Sequence, residues 1–198
     1  MDKYSTPPEL FTLRTLIQLS ESNLDVFIKS GELRTYKKSH IIFRQNTPDS
    51  NEYFQLNGIT HRFNTSEDGL NVTTGIYHGT KIITPQFART ENKKSIFSLQ
   101  ALVDTTCYVV PAEKFQELRS SIPEIWSLGQ RVVETEFQEL LNFEVLFRSN
   151  SAKTRLIYFR KKYKGLENEI SHSIIASYLG ITPVSFSRIR SELSKGDL

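Results

Sequence analysis

The spacing of apolar residues divides the chain into three regions. Apolar residues recur at helical intervals over residues 9–30, where the polar segment 20–23 can end one helix and cap the next. Over residues 32–111, short apolar segments follow one another every 8–12 residues or so, with turn sequences between them. The less regular stretch 81–94 is predicted to be a loop. This middle region predicts an antiparallel roll, barrel or sandwich.

A long helix is predicted after the strands. Pro123 suits a first helical position, and after Gly129 no glycine or proline interrupts the apolar stripe before the segment at residue 150. So long an amphipathic helix needs a partner face, which either its own roll or a second chain can supply. We expect a homodimer formed through residues 124–147.

The segment Ser171–Leu193 reads SHSIIASYLGITPVSFSRIRSEL and carries the helix-turn-helix pattern. Ala176 is small enough for a second helix to approach closely, and Gly180 can take the positive φ of a tight turn. Thr182 and Pro183 suit the cap and first position of the second helix. A generic helical hairpin shows some of these features by chance, but seldom all of them together.

The second helix presents a polar face opposite its apolar one. Arg188 is placed to reach a base edge, since its guanidinium matches guanine O6 and N7, although a phosphate contact or a solvated side chain is the alternative. Serines near the helix N-terminus suit phosphates or water-bridged contacts. The candidate DNA-binding residues are Thr182, Val184, Ser185, Ser187, Arg188 and Ser191.

Charge is distributed unevenly along the chain. Residues 148–198 contain ten basic and four acidic residues, whereas the remainder contains 15 basic and 18 acidic ones. The C-terminal part therefore carries +6 and the rest −3, which indicates a polyanionic partner such as double-stranded DNA or, alternatively, an ordinary solvated basic surface.

Other sequence features narrow the class of protein. Cys107 is the only cysteine, so the chain has no internal disulfide and no cysteine-held iron–sulfur cluster, and it is expected to be a buried packing residue. The first residues lack the apolar run of a signal peptide, and no stretch reaches the roughly 18 apolar residues of a membrane span. These features predict a cytoplasmic protein that does not enter a membrane and needs no cofactor.

Residues 175–183 and 186–190 closely resemble the cyclic-AMP receptor protein/fumarate-nitrate regulator (CRP/FNR) superfamily of transcription regulators. The similarity extends more loosely over the whole chain, including Tyr53–Gly58 and the turn at Asp68-Gly69. The resemblance implies an α+β fold: an antiparallel cyclic-nucleotide-binding-like β-roll over residues 1–123, a dimerisation helix over 124–147 and a helix-turn-helix over 148–198. It also implies that Arg188 is the base-reading arginine and that the DNA site is an inverted repeat.

The chain departs from the superfamily pattern at three places. Members that bind cyclic nucleotides have Gly-Glu and then Arg-Ser or Arg-Thr in a phosphate cassette, but Gly79-Thr80 and Lys94-Ser95 occupy these positions. We therefore expect no response to cyclic AMP, and any small-molecule effector is unidentified. Many members have an acidic residue where this chain has Val184. The sequence stops five residues after Leu193, so no C-terminal wing is expected.

Two other functions remain open at this point. The roll can be a ligand-binding module whose helix-turn-helix contacts protein instead of DNA. It can also be a metal-dependent enzyme of the cupin type, since His40, His61 and His78 fall in the roll region, although the close His-x-His pair of cupins is missing. No sequence order typical of a catalytic triad or P-loop appears, so we expect a regulator and not an enzyme.

Overall fold

The computed structural model describes residues 8–195. Its helices are α1 (Pro8–Ile17), α2 (Glu21–Ile28), α3 (Gln86–Arg89), α4 (Ala112–Ser121), α5 (Pro123–Ser149), α6 (Ala152–Lys162), α7 (His172–Tyr178) and α8 (Pro183–Lys195), with a 3-10 turn at Leu166–Asn168. Its strands are β1 (Glu32–Tyr36), β2 (Ile41–Phe43), β3 (Asn51–Asn57), β4 (Ile59–Thr65), β5 (Asn71–His78), β6 (Lys81–Ile82), β7 (Thr90–Glu91), β8 (Lys94–Ser95), β9 (Ser98–Ala101) and β10 (Thr105–Pro111). The predicted α+β order of strands, long helix and helix-turn-helix is confirmed.

The strands form two four-stranded sheets and one short hairpin. One sheet has the order β1-β10-β3-β6, the other β2-β9-β4-β5, and β7 pairs with β8. Strands of both sheets contribute to one apolar cluster, in which Tyr53, Leu99 and Val109 are nearly inaccessible to solvent. Because side chains alternate along a strand, the neighbouring Phe54 and Tyr108 belong to a second cluster on the other face of the first sheet.

Helices cover that second face of the sheet. Phe27 of α2 contacts Phe54 edge-on at a centroid distance of 5.2 Å, and the hydroxyl of Tyr108 donates to the carbonyl of Phe27 at 2.9 Å. A break between two helices is confirmed, but it lies at residues 18–20 and not at the predicted 20–23, because α2 already begins at Glu21. The expected side-chain cap by Ser20 is wrong, because its amide and hydroxyl both donate to the carboxylate of Glu124, at 2.8 and 3.0 Å.

The stretch 81–94 is more regular than the predicted loop. It contains β6, α3, β7 and the start of β8, each of which is only two to four residues long. Elements of two to four residues span only about one repeat of the helical or strand pattern, so the spacing of apolar residues does not reveal them.

Helix α5 begins at Pro123 as predicted and is 27 residues long. Its buried residues are Ile125, Leu128 and Gly129, all within its first two turns. Farther along, the helix exposes large apolar side chains, namely Val133, Phe137, Leu140, Leu141 and Val145. We call these five residues the α5 stripe.

The chain forms two compact units. One comprises residues up to His61 together with Tyr77–Glu136, and the other comprises Arg62–Ile76 together with the chain from Phe137 onwards. Most of the β4–β5 hairpin thus belongs to the same unit as the helix-turn-helix. The functional division at residues 123 and 147 stays a prediction.

Several sequence predictions concern residues beyond the described range. The first seven residues, which bear on a signal peptide, and the last three, which bear on a wing, lie outside it. Within residues 8–195, no helix is both long and apolar enough to cross a membrane.

Candidate nucleic-acid interface

Helices α7 and α8 form the predicted helix-turn-helix. Gly180 in the turn has φ +63°, and a Cβ at this position would collide with the ring of Phe147. Glycine is therefore required both for the left-handed backbone and for the close approach of Phe147. The sequence predicted the first requirement but not the second.

Each helix of the motif begins at a side-chain cap. The hydroxyl of Ser171 accepts from the amide of Ile174 at 3.4 Å. The hydroxyl of Thr182 accepts from the amide of Ser185 at 3.1 Å and donates to the hydroxyl of Ser185 at 3.0 Å. The predicted cap at Thr182 is confirmed, and it occupies one backbone amide at the N-terminus of α8.

Apolar side chains hold the two helices together. Ile175 and Ala176 of α7 are fully buried, as is Phe186 of α8, and Ile189 is nearly so. Aromatic residues continue this core beneath α7, where Tyr178 lies 5.2 Å from Phe143 between ring centroids. The predicted small residue and apolar positions therefore face the shared core.

The opposite face of α8 is accessible to solvent. The side chain of Val184 is 80% exposed, and that of Arg188 is 73% exposed. Of the candidate residues, Thr182, Val184, Ser187, Arg188 and Ser191 are exposed and Ser185 is half-buried beside the cap. The fold therefore brings them together on the first turns of one helix, on the side away from the core.

Arg188 makes one weak ion pair with its own helix. Its Nε lies 3.9 Å from the carboxylate of Glu192, one turn along the exposed surface. An exposed ion pair at this distance is weak, so the guanidinium is available to another acceptor. Val184 lies four residues before Arg188 and hence on the same side of the helix.

The roll contains a buried arginine, Arg89, within the stretch 79–95 that contains the cassette positions. Arg89 is fully buried, and its guanidinium lies over the rings of Phe43 and Tyr53, 5.0 and 5.2 Å from their centroids. Its Nε and Nη2 reach one oxygen of Asp49 at 3.0 and 2.9 Å. Nη2 also donates to the carbonyl of Asn51.

The remaining donors of Arg89 are occupied as well. Its Nη1 donates to the carbonyl of Thr84 at 2.6 Å and to the carboxylate of Glu52 at 3.5 Å. All three guanidinium nitrogens thus contact protein oxygens. Glu52 also accepts from the amide of Gln86, at 3.0 and 3.1 Å, and burial raises its pKa to about 6 in spite of Arg89.

The positions aligned with the cassette Arg-Ser are not arranged for a phosphate. Lys94 is exposed. Ser95 is buried, and its hydroxyl donates to the carbonyl of Phe97 at 2.7 Å. Sequence reasoning noted the departures at these positions but missed the network around Arg89. Its members are spread over residues 49–89, so no local motif reveals them.

Cys107 and the histidines occupy different environments. Cys107 is buried as predicted, and burial raises its pKa to about 12, so the reactive thiolate is disfavoured. His40 is exposed, whereas His61 is buried and shares a hydrogen bond with Gln100 at 3.1 Å. Within the described residues, no three His, Cys, Asp or Glu side chains are grouped to hold a metal ion.

Comparison with known proteins agrees with this architecture. Residues 33–121 match the cyclic nucleotide-binding domain family. The chain is 25% identical over 186 residues to the transcriptional activator protein Anr of Pseudomonas protegens, covering 88% of this chain and 75% of Anr. The transcriptional activator FnrA of Stutzerimonas stutzeri is 23% identical over the same shares of the two chains.

Solved structures share the fold. FixK2 from Bradyrhizobium japonicum superposes with a TM-score of 0.72 at 16% identity, over 84% of this chain and 86% of FixK2. A CooA variant from Carboxydothermus hydrogenoformans gives a TM-score of 0.72 at 18% identity, over 96% of this chain and 86% of CooA.

Proposed function

We propose that the chain is a DNA-binding transcription regulator of the CRP/FNR superfamily and not an enzyme, and that it works as a homodimer on an inverted-repeat site without cyclic AMP. The observation that supports this most directly is the exposed face of α8. It combines a loosely held arginine, an apolar methyl surface, small hydroxyls and a helix N-terminus. These groups suit base edges, thymine methyls and phosphates.

The α5 stripe supports the homodimer. Its members recur at helical spacing on one side of the helix, and Phe137 and Leu140 are 59% and 55% exposed. Contiguous exposed apolar surface of this kind marks a protein interface. We assign it to a second copy of the chain, because heptad-like apolar spacing on a long helix is the pattern that pairs with its own copy.

A homodimer determines the geometry of the DNA site. Two recognition helices related by a two-fold axis contact successive major grooves about 34 Å apart. The site is then an inverted repeat whose half-sites are separated by about one helical turn. We also place the regulator in the cytoplasm, together with its DNA.

Salt dependence tests whether DNA is the partner. Titration of the purified chain against an inverted-repeat duplex at increasing salt is expected to give a linear fall of log affinity with log salt concentration, because phosphate contacts release counterions. An affinity that stays unchanged from low to moderate salt would contradict the DNA proposal. It would favour a helix-turn-helix that contacts protein.

The proposal that cyclic AMP has no role rests on the cassette region. Arg89 is fully committed to Asp49, Glu52 and backbone carbonyls, and Lys94 offers a point charge without the bidentate fork of arginine. A cyclic phosphate entering the roll would have to break buried ion pairs before it gained a partner.

Calorimetry with millimolar cyclic AMP or cyclic GMP is therefore expected to show no saturable heat. A cyclic-nucleotide-binding member of the superfamily, titrated under the same conditions, serves as the positive control. Saturable binding of either nucleotide in the micromolar range would contradict this prediction and would require the Arg89 network to open.

An effector other than a cyclic nucleotide can act through the contact of the roll with α5. Within the first compact unit, the hydroxyl of Tyr77 lies 2.6 Å from that of Thr84, which donates to the carboxylate of Glu136 on α5 at 2.8 Å. A ligand or partner at the roll that favours one arrangement of this chain of hydrogen bonds would bias α5 and, through it, the spacing of the recognition helices.

A further inference from the structure

A partly buried carboxylate connects α8 to α6, the helix that precedes the motif. Glu167 lies on the 3-10 turn Leu166–Asn168, and its side chain is only 13% exposed. Arg160 of α6 contacts both of its oxygens, with Nε at 2.6 Å and Nη2 at 3.0 Å. Arg190 of α8 also contacts Oε1 of Glu167, with its Nε at 3.0 Å. We call these three residues the Glu167 clamp.

The clamp acts on the side of α8 that does not face DNA. Arg190 is two residues after Arg188, so the two side chains leave the helix roughly 200° apart. Phe186 and Ile189 already hold α8 against the core, but apolar contacts tolerate some rotation. The ion pair between Arg190 and Glu167 lies at the edge of that core, on one side of α8 only, so it favours one rotation of α8 about its axis.

The electrostatics of the clamp are consistent with a fixed carboxylate. Hydrogen bonds from Arg160 hold the pKa of the Glu167 carboxyl below its ordinary value, and the charges of Arg160, Arg190 and His172 act in the same direction. Burial acts in the opposite direction and does not outweigh them. Because Glu167 pairs with two guanidinium groups, these groups are less available for phosphate contacts, which do not depend on DNA sequence.

We propose that Glu167 is a positioning residue for sequence specificity: through Arg190 it sets the rotation of α8 that presents Val184 and Arg188 to base edges. This inference rests on the proposed DNA-binding function. Glu167 lies away from the face of α8 that would contact DNA, yet on this proposal it contributes to the discrimination between the correct site and other DNA.

The test compares two duplexes, the inverted repeat selected by the wild-type chain and a shuffled duplex of the same length and composition. Glu167→Gln keeps the size of the side chain but removes its charge. The ratio of the two affinities is expected to fall about tenfold, the effect of one mismatched base pair. Affinity for the shuffled duplex stays equal or rises, because the variant loses one negative charge that would repel phosphates.

Glu169→Gln is the matched control. Glu169 is exposed, lies two residues away and gives the same change in charge. A loss of stability would reduce the folded fraction for both duplexes alike and leave the ratio unchanged, so the ratio separates positioning from folding. An unchanged ratio in Glu167→Gln, or an equal fall in Glu169→Gln, would overturn the clamp.

A second variant covers the case in which Glu167→Gln does not fold. Arg190→Gln leaves the Arg160–Glu167 pair in place and releases only α8, so the same fall in the ratio is expected. An unchanged ratio would overturn the proposal. If the wild-type chain itself does not discriminate between the duplexes, the proposed function fails first and the clamp with it, which distinguishes that failure from a failure of the clamp alone.

Discussion

A chain carrying both Phe137→Glu and Leu140→Glu is expected to sediment as a folded monomer at concentrations where the wild-type chain is a dimer. The two substitutions put like charges into the middle of the α5 stripe, where dimerisation would desolvate them without partners, and this is strongly unfavourable. Affinity for the inverted repeat should fall by about a hundredfold or more, because each half-site is then bound without the gain from linked binding.

The control is Thr135→Glu with Asn142→Glu. It adds the same two negative charges at exposed positions seven residues apart, on the side of α5 away from the stripe. The control should remain a dimer, as seen by sedimentation at matched concentrations. If the stripe variant also remains a folded dimer, the interface lies elsewhere on the chain.

Arg188→Ala is expected to weaken binding to the selected site by about 1–3 kcal/mol, or about 5- to 150-fold, and to relax the preference for guanine at one position of each half-site. The arginine side chain is exposed and only weakly paired with Glu192, so its fork is free to reach guanine O6 and N7. Selection from a random duplex library measures both effects.

Val184 should determine the neighbouring base. Valine accepts no hydrogen bond but can pack on a thymine methyl, so that position should tolerate or prefer thymine, whereas Val184→Glu should shift it towards cytosine on the contacted strand. Lys161→Ala, at an exposed position of α6, should at most weaken binding to all sequences alike. If Arg188→Ala selects the same guanine as the wild-type chain, Arg188 is only a phosphate anchor.

The helix-turn-helix could be predicted from sequence because its requirements are local. Gly180, Thr182 and Pro183 stand within four residues of one another, and each has one conformational role that its chemistry reveals. The start of α5 was predictable for the same reason, since proline at a first helical position is a local preference. Burial of Cys107 followed from its apolar strand.

The networks of charged residues could not be predicted because their members are far apart in sequence. Arg89 meets Asp49 across 40 residues, and a buried arginine with two carboxylates looks like ordinary surface charge in the sequence. Arg190 and Glu167 likewise meet only once α6, the 3-10 turn and α8 have packed. The short strands and the short helix of residues 81–95 were not predicted, because two to four residues are too few to show a periodic pattern of apolar residues.

The central claim is that α8 reads DNA sequence as part of a symmetric dimer. The most direct test is to select, from a random library, the duplexes that the wild-type chain binds. The account predicts enrichment of an inverted repeat whose half-sites each carry a guanine and are centred about one helical turn, or about 34 Å, apart. Enrichment of no sequence, or of a site without two-fold symmetry, would contradict it.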